Sequence, residues 1–234
     1  MKVRYLIKFS KEDSIKFISH LDLMRTIQKI IRRADLPVEY SKGFNPHMSL
    51  SLAQPLSVGM SSKGEYMDLV LVEELNEEFI KEKLNESAPM TIRIIEVTKV
   101  IQLTEKKVPP SMAIIDRANY SMKLPVEDGK AAEKALTAIL EKPSWVTIKK
   151  SKKGEREIDI RPLIKEIKYW LKDDYLVMNC TLACGSREHL SPDLLSTYIK
   201  NNCEGFNGER FTYIERNELY ADKNGNFVPL YKYV

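Results

Sequence analysis

Two of the three histidines, His20 in "FISHLDLMRTIQKIIRRADLP" and His47 in "YSKGFNPHMSLS", lie close to a row of cations. An imidazole titrates near neutrality, so either one could serve as a general acid or base for cutting a phosphodiester. Projected at 100° per residue, the first of these stretches separates into two stripes. Leu23, Ile27, Ile30, Ile31 and Ala34 form one; Arg25, Lys29, Arg32 and Arg33 form the other. His20 projects toward the apolar side, where packing is the alternative to chemistry. The cationic stripe repels itself by a few tenths of a kcal/mol per like-charged neighbour. It reads either as a solvated face or as a contact for phosphates.

In the second stretch, Gly43 permits positive φ and Pro46 drives Asn45 toward an extended backbone. The expectation is a sharp loop that presents Phe44 beside Tyr40, Lys42 and His47. An aromatic ring among cations can stack a nucleobase, and such stacking contributes about 1–3 kcal/mol. The alternative is that Phe44 tucks beneath the loop as an anchor. Further anion-binding candidates are Arg161 in "IDIRP", Arg187 in "GSREHLSP", and the "VGMSSKGEY" segment. There Ser61, Ser62, Lys63 and Gly64 read as a turn with free backbone N–H groups.

No G-x-S-x-G elbow, H-E-x-x-H, P-loop or dinucleotide-binding glycine pattern is present. Cys180 and Cys184 are spaced C-x3-C, but Arg187 occupies the third position of a C-x3-C-x2-C cluster motif. They therefore read as small core residues, and neither a metal nor a cofactor is expected. Net charge is only +4 over 234 residues, yet it is unevenly spread. Residues 1–64 carry eleven Lys or Arg against five acids, and residues 65–92 carry eight acids against two bases. That asymmetry points to one face for an anionic partner. No apolar run reaches the ~20 residues of a membrane span, and the N-terminus lacks a signal core, so the expected location is cytoplasmic.

The elements that must hold these residues alternate regularly. The order reads strand, helix, strand, strand, helix, strand over residues 1–103, with Ser19 and Asn76 as helix N-caps. A linker over 104–111 follows. A second run of the same order, over 112–234, carries an added basic hairpin around Lys152-Lys153-Gly154 and a short "LIKEIKYW" segment. Ser191 and Pro192 open its last helix. The expected fold is α+β: two tandem ferredoxin-like domains with antiparallel sheets.

Four motifs occur in order: F-x-S-H-L-D, R-R-A-x-L-P, Y-S-x-G-F-N-P-H and G-x-x-S-x-G-E-Y. With "DIRP" and "SPDLL" further on, they resemble the bacterial radical-SAM-linked proteins, a domain of unknown function, here in free-standing form. The resemblance implies a cobalamin-binding radical SAM enzyme as partner and, from neighbouring ribonuclease G-type genes, an RNA context. Together with the residues, it makes an RNA-binding accessory protein for RNA modification the leading expectation. A looser resemblance, to the CRISPR repeat-processing endoribonucleases, gives the alternative of metal-independent cleavage by His20 or His47. A third reading is a protein-only scaffold that docks its partner through the acidic 65–92 segment.

Overall fold

The structure, a computed structural model, describes residues 2–101, 108–151 and 154–234. It is a mixed α+β fold with mostly antiparallel sheet and six helices among the described residues. The chain divides into two compact units, 1–116 with 216–234 and 117–215.

The first unit contains β1 (Val3–Lys11), α1 (His20–Arg33), β2 (Leu50–Leu52), β3 (Met60–Leu71), α2 (Glu77–Ser87), β4 (Ile94–Lys99) and α3 (Ser111–Ile114). β1 pairs antiparallel with both β3 and β4, and β2 pairs with β3. The C-terminal stretch adds β10 (Tyr213–Lys223) on the far side of β3, then β11 (Asn226–Pro229) and α6 (Leu230–Tyr233). Alternation in β1 turns Tyr5, Ile7 and Phe9 toward the helices, where they pack with Ile27, Ile31, Ile80 and Leu84. Ser19 caps α1 by accepting the Asp22 N–H, and Asn76 caps α2 by accepting from Glu78 and Phe79.

The second unit contains β5 (Ile115–Pro125), α4 (Gly129–Leu140), β6 (Val146–Ser151), β7 (Gly154–Asp159), β8 (Ile164–Lys172), β9 (Tyr175–Ala183) and α5 (Pro192–Asn202). Its sheet runs β5-β9-β8, antiparallel throughout, while β6 and β7 pair only with each other. Met122, Leu124, Met178 and Cys180 form the core beneath α4, which contributes Ala132, Leu136 and Ile139.

Several local expectations are corrected. "VGMSSKGEY" is not a turn: Met60 through Gly64 run inside β3, where ladder pairing takes up backbone groups. Gly64 therefore shapes a strand packing contact rather than a loop. "LIKEIKYW" is not an appended segment but most of β8, paired with β9 through a register shift between Ile164 and Glu166. "VEYS" makes only the isolated bridges Val38↔Leu71 and Tyr40↔Met48. Ser191 precedes α5 as expected, but its hydroxyl donates to Asp193 instead of capping the backbone. Residues 104–107 of the expected linker, and Lys152-Lys153 of the hairpin, lie outside the described residues.

Candidate nucleic-acid interface

α1 buries Leu23, Ile27, Ile30 and Ile31 and turns Arg25, Lys29, Arg32 and Arg33 to solvent. Arg25 pairs with Asp22 at 3.1 Å, three residues back on the same face. Lys29, Arg32 and Arg33 form no ion pair among the described residues. Arg32 and Arg33 occupy the last turn, where the helix dipole favours cations. Asp35, at φ 51°, ends the helix in the left-handed region.

The chain then enters the loop. Its base is fastened by the Ser41 N–H donating to the His47 carbonyl at 2.8 Å and the His47 N–H donating to Ser41 Oγ at 2.9 Å. Below these, the Ser49 N–H donates to the Glu39 carbonyl at 2.8 Å, and Met48 is buried in the core. Gly43 takes φ 131°, as a reversal at this point requires. Lys42 through His47 are exposed, and Phe44 is fully so. Phe44 is thus the tip of a pinned loop and not its anchor. Tyr40, at the loop's base, is also exposed.

His20 is the first residue of α1 and half-buried, about 20 Å along the helix axis from Arg33 at 1.5 Å per residue. No hydrogen bond joins it to His47 among the described residues. The acidic 65–92 stretch is not one surface. Glu65 and Asp68 are buried in β3, whereas Glu73, Glu74, Glu77 and Glu78 are exposed, with Glu74 paired to Lys99 and Glu78 to Lys81.

The G-E-Y segment of β3 holds a buried polar seam that the sequence reading missed. Glu65 accepts from Arg216 Nε at Oε1, 2.8 Å, and from Arg216 Nη2 at both carboxylate oxygens, 2.5 Å each, with both side chains almost wholly buried. Arg216 Nη2 also donates to the Gln54 carbonyl at 2.8 Å, and Ser62 Oγ donates to the Arg216 carbonyl. Tyr66 donates to Glu218 Oε1 at 2.7 Å, and Lys8 pairs with Glu218 Oε2 at 2.6 Å. The only sequence signal for this seam is polar residues interrupting apolar strands, which names no partner.

Lys11, beside this seam, donates to the Lys16 carbonyl at 3.0 Å. Burial lowers its ammonium pKa from the ordinary 10.5, with Glu65 opposing the shift and Arg216 adding to it. Burial, and then the Glu218 charge, raise the Tyr66 phenol well above its ordinary 10.0. A lysine lowered on folding takes up a proton on unfolding, so stability rises with pH between its folded value and 10.5. Tyr66 works the other way: its contribution is complete below pH 10 and is lost as pH climbs further. The urea midpoint of the parent is therefore expected to gain on that of Lys11→Met as pH rises toward 10.5. A difference between the two chains that does not change with pH would refute this assignment.

In the second unit, the Arg161 guanidinium lies over the Trp145 ring at 5.8 Å. Trp145 is itself stacked on Tyr198 at 5.2 Å and donates Nε1–H to the Ile139 carbonyl. Arg161 therefore braces the start of the β6-β7 hairpin. Arg187 is exposed in the loop before α5. The cysteines are buried, with the Cys180 thiol 3.7 Å from Met122 Sδ and pushed up to about 12 by burial. Among the described residues no group of His, Cys, Asp and Glu is arranged to hold a metal ion, and no helix is long and apolar enough to cross a membrane.

No curated protein matches the chain. A solved structure described as an unknown protein from Galdieria sulphuraria is similar at 12% identity, covering 79% of this chain and 84% of that one, with a TM-score of 0.27. Residues 4–192 match a family described as uncharacterized protein conserved in bacteria (DUF2344). With most of its length matched, the chain belongs to that bacterial family.

Proposed function

We propose that this chain is an RNA-binding accessory protein that works with a cobalamin-binding radical SAM enzyme and presents RNA to it for modification. The observation that carries the RNA reading is the fully exposed Phe44 at the tip of a pinned loop, joined by residues 35–39 to a helix whose outward face holds Lys29, Arg32 and Arg33, without ion pairs among the described residues. A solvent-exposed aromatic on a fixed loop gains nothing for folding, whereas a stacked base would bury its face. The cations supply the matching phosphate contacts. The enzyme partner rests on the resemblance of F-x-S-H-L-D and Y-S-x-G-F-N-P-H to the radical-SAM-linked proteins. In the same reading the chain is two tandem ferredoxin-like domains, the first ending near residue 103 and the second starting near 112.

Cells crosslinked and then sequenced for attached RNA would name the ligand, with Arg32→Ala/Arg33→Ala as control. For that RNA, the double variant is expected to reduce the slope of log affinity against log salt by roughly 1.4, two contacts at about 0.7 each on a single strand. Phe44→Ala should weaken binding about tenfold with an unchanged melting temperature, because the ring packs on nothing. An absence of RNA binding at low salt would end this reading.

A further inference from the structure

The strand register of the second unit places side chains in rows across one face, polar or aromatic apart from the buried Val177 and Pro125. Trp170, Val177 and Lys123 stand abreast on β8, β9 and β5; so do Lys168, Asn179 and Ser121; so do Lys172, Tyr175 and Pro125. α4 covers the opposite face, where Thr137 meets the Tyr169 hydroxyl at 2.7 Å and Leu171 lies against Gly129. The rowed face thus carries alternate residues that do not enter the core under α4.

Its composition is unlike that of a merely solvated sheet. Trp170 is 47% exposed, an indole left out while the chain's other tryptophan, Trp145, is completely buried. Lys123, Lys168 and Lys172 are exposed around it, and Glu166 is the one carboxylate among these outward positions, paired with Lys168 at 2.8 Å. At the end of the face, Tyr175 meets Tyr213 edge-on at 6.2 Å, and Tyr213 meets Phe211 at 5.2 Å. Arg210 lies over Tyr175 at 5.2 Å while binding Asp174. At its centre Asn119 and Asn179 exchange hydrogen bonds at 3.0 and 3.1 Å, and Asn119 reaches Thr181 at 3.0 Å.

We propose that this sheet face binds single-stranded RNA, with Trp170 stacking one base and Lys123, Lys168 and Lys172 contacting the phosphates on either side. Exposed π-faces select unpaired bases, because a base inside a duplex is already stacked on both sides. The excess of cations over carboxylates selects a polyanion, and the Asn119–Asn179 pair stands where base edges would lie. The inference deepens the RNA-binding reading by naming single strands as the ligand, and it adds a surface separate from α1 and the Phe44 loop.

The test uses the full chain with two probes, a twelve-residue oligo(rU) and a blunt-ended RNA duplex of twelve base pairs. Trp170 is the exposed fluorophore, so the single strand is expected to quench emission and the duplex to leave it unchanged. Trp170→Ala should lower affinity for the single strand about tenfold, and Lys123→Ala/Lys172→Ala should flatten its salt dependence. Circular dichroism is expected to match the parent for both variants. Loss in Trp170→Ala while Arg32→Ala/Arg33→Ala binds like the parent supports the sheet face and removes the α1 reading. Loss in Arg32→Ala/Arg33→Ala with no quenching and full binding by Trp170→Ala overturns the sheet face and leaves the α1 reading intact. Equal quenching by the duplex also overturns it.

Discussion

Replacing Glu65 by glutamine is expected to lower the unfolding free energy by about 3–5 kcal/mol, the range for removing one partner of a buried ion pair. Arg216 is only 1% exposed and would keep its charge with a single neutral acceptor left beyond the amide, the Gln54 carbonyl. A guanidinium cannot shed its proton to escape, as a buried lysine can. The comparison that isolates charge from volume is Glu65→Leu/Arg216→Met. Removing both charges also removes both desolvation costs, so this double variant should recover most of the loss. Urea unfolding followed by circular dichroism measures all three chains. A loss below about 1 kcal/mol in Glu65→Gln would mean that water reaches Arg216, and would refute the buried seam.

Gly64→Ala is expected to cost about 2–3 kcal/mol, near the upper end for overpacking. A methyl group at residue 64 would stand 2.6 Å from the Asn217 carbonyl oxygen and 2.9 Å from the Glu218 α-carbon. Both are backbone atoms of β10, so no side chain can swing aside to make room. Relief would require β10 to retreat from β3, pulling Arg216 from Glu65 and Glu218 from Tyr66 together. Gly208→Ala is the control, because the added methyl there meets nothing within 4 Å. A melting temperature for Gly64→Ala within a degree of the Gly208→Ala value would show that the strands are not held this closely.

These two variants explain a sequence motif in terms different from those its composition invites. A run of small and polar residues, S-S-K-G-E-Y, has the look of an anion-binding turn. In the fold its glycine admits a neighbouring backbone, its glutamate neutralises a buried arginine and its tyrosine bonds a buried glutamate. The segment holds the sheet against which α1 packs.

The local elements were legible in the sequence because their causes are local. The 3.6-residue stripe of α1, the Ser19 and Asn76 caps and the alternation of β1 and β9 depend on residues within a turn or two. The reversal at Gly43 and the exposed cations of α1 follow from the same short-range geometry. Only the tertiary structure decided what those elements meet. Glu65 and Arg216 are 151 residues apart, and nothing in either neighbourhood names the other. β8 was hidden because Lys165-Glu166 interrupt the alternation of "LIKEIKYW", at the place where the ladder with β9 shifts register, and pairing with β9 is what makes it a strand. The grouping of residues 216–234 with the first unit was hidden for the same reason, since strand partners are chosen by long-range burial and not by sequence order. Trp170 shows the division most plainly. Its identity as an aromatic was always visible, but its exposure depends on which face of β8 turns toward α4.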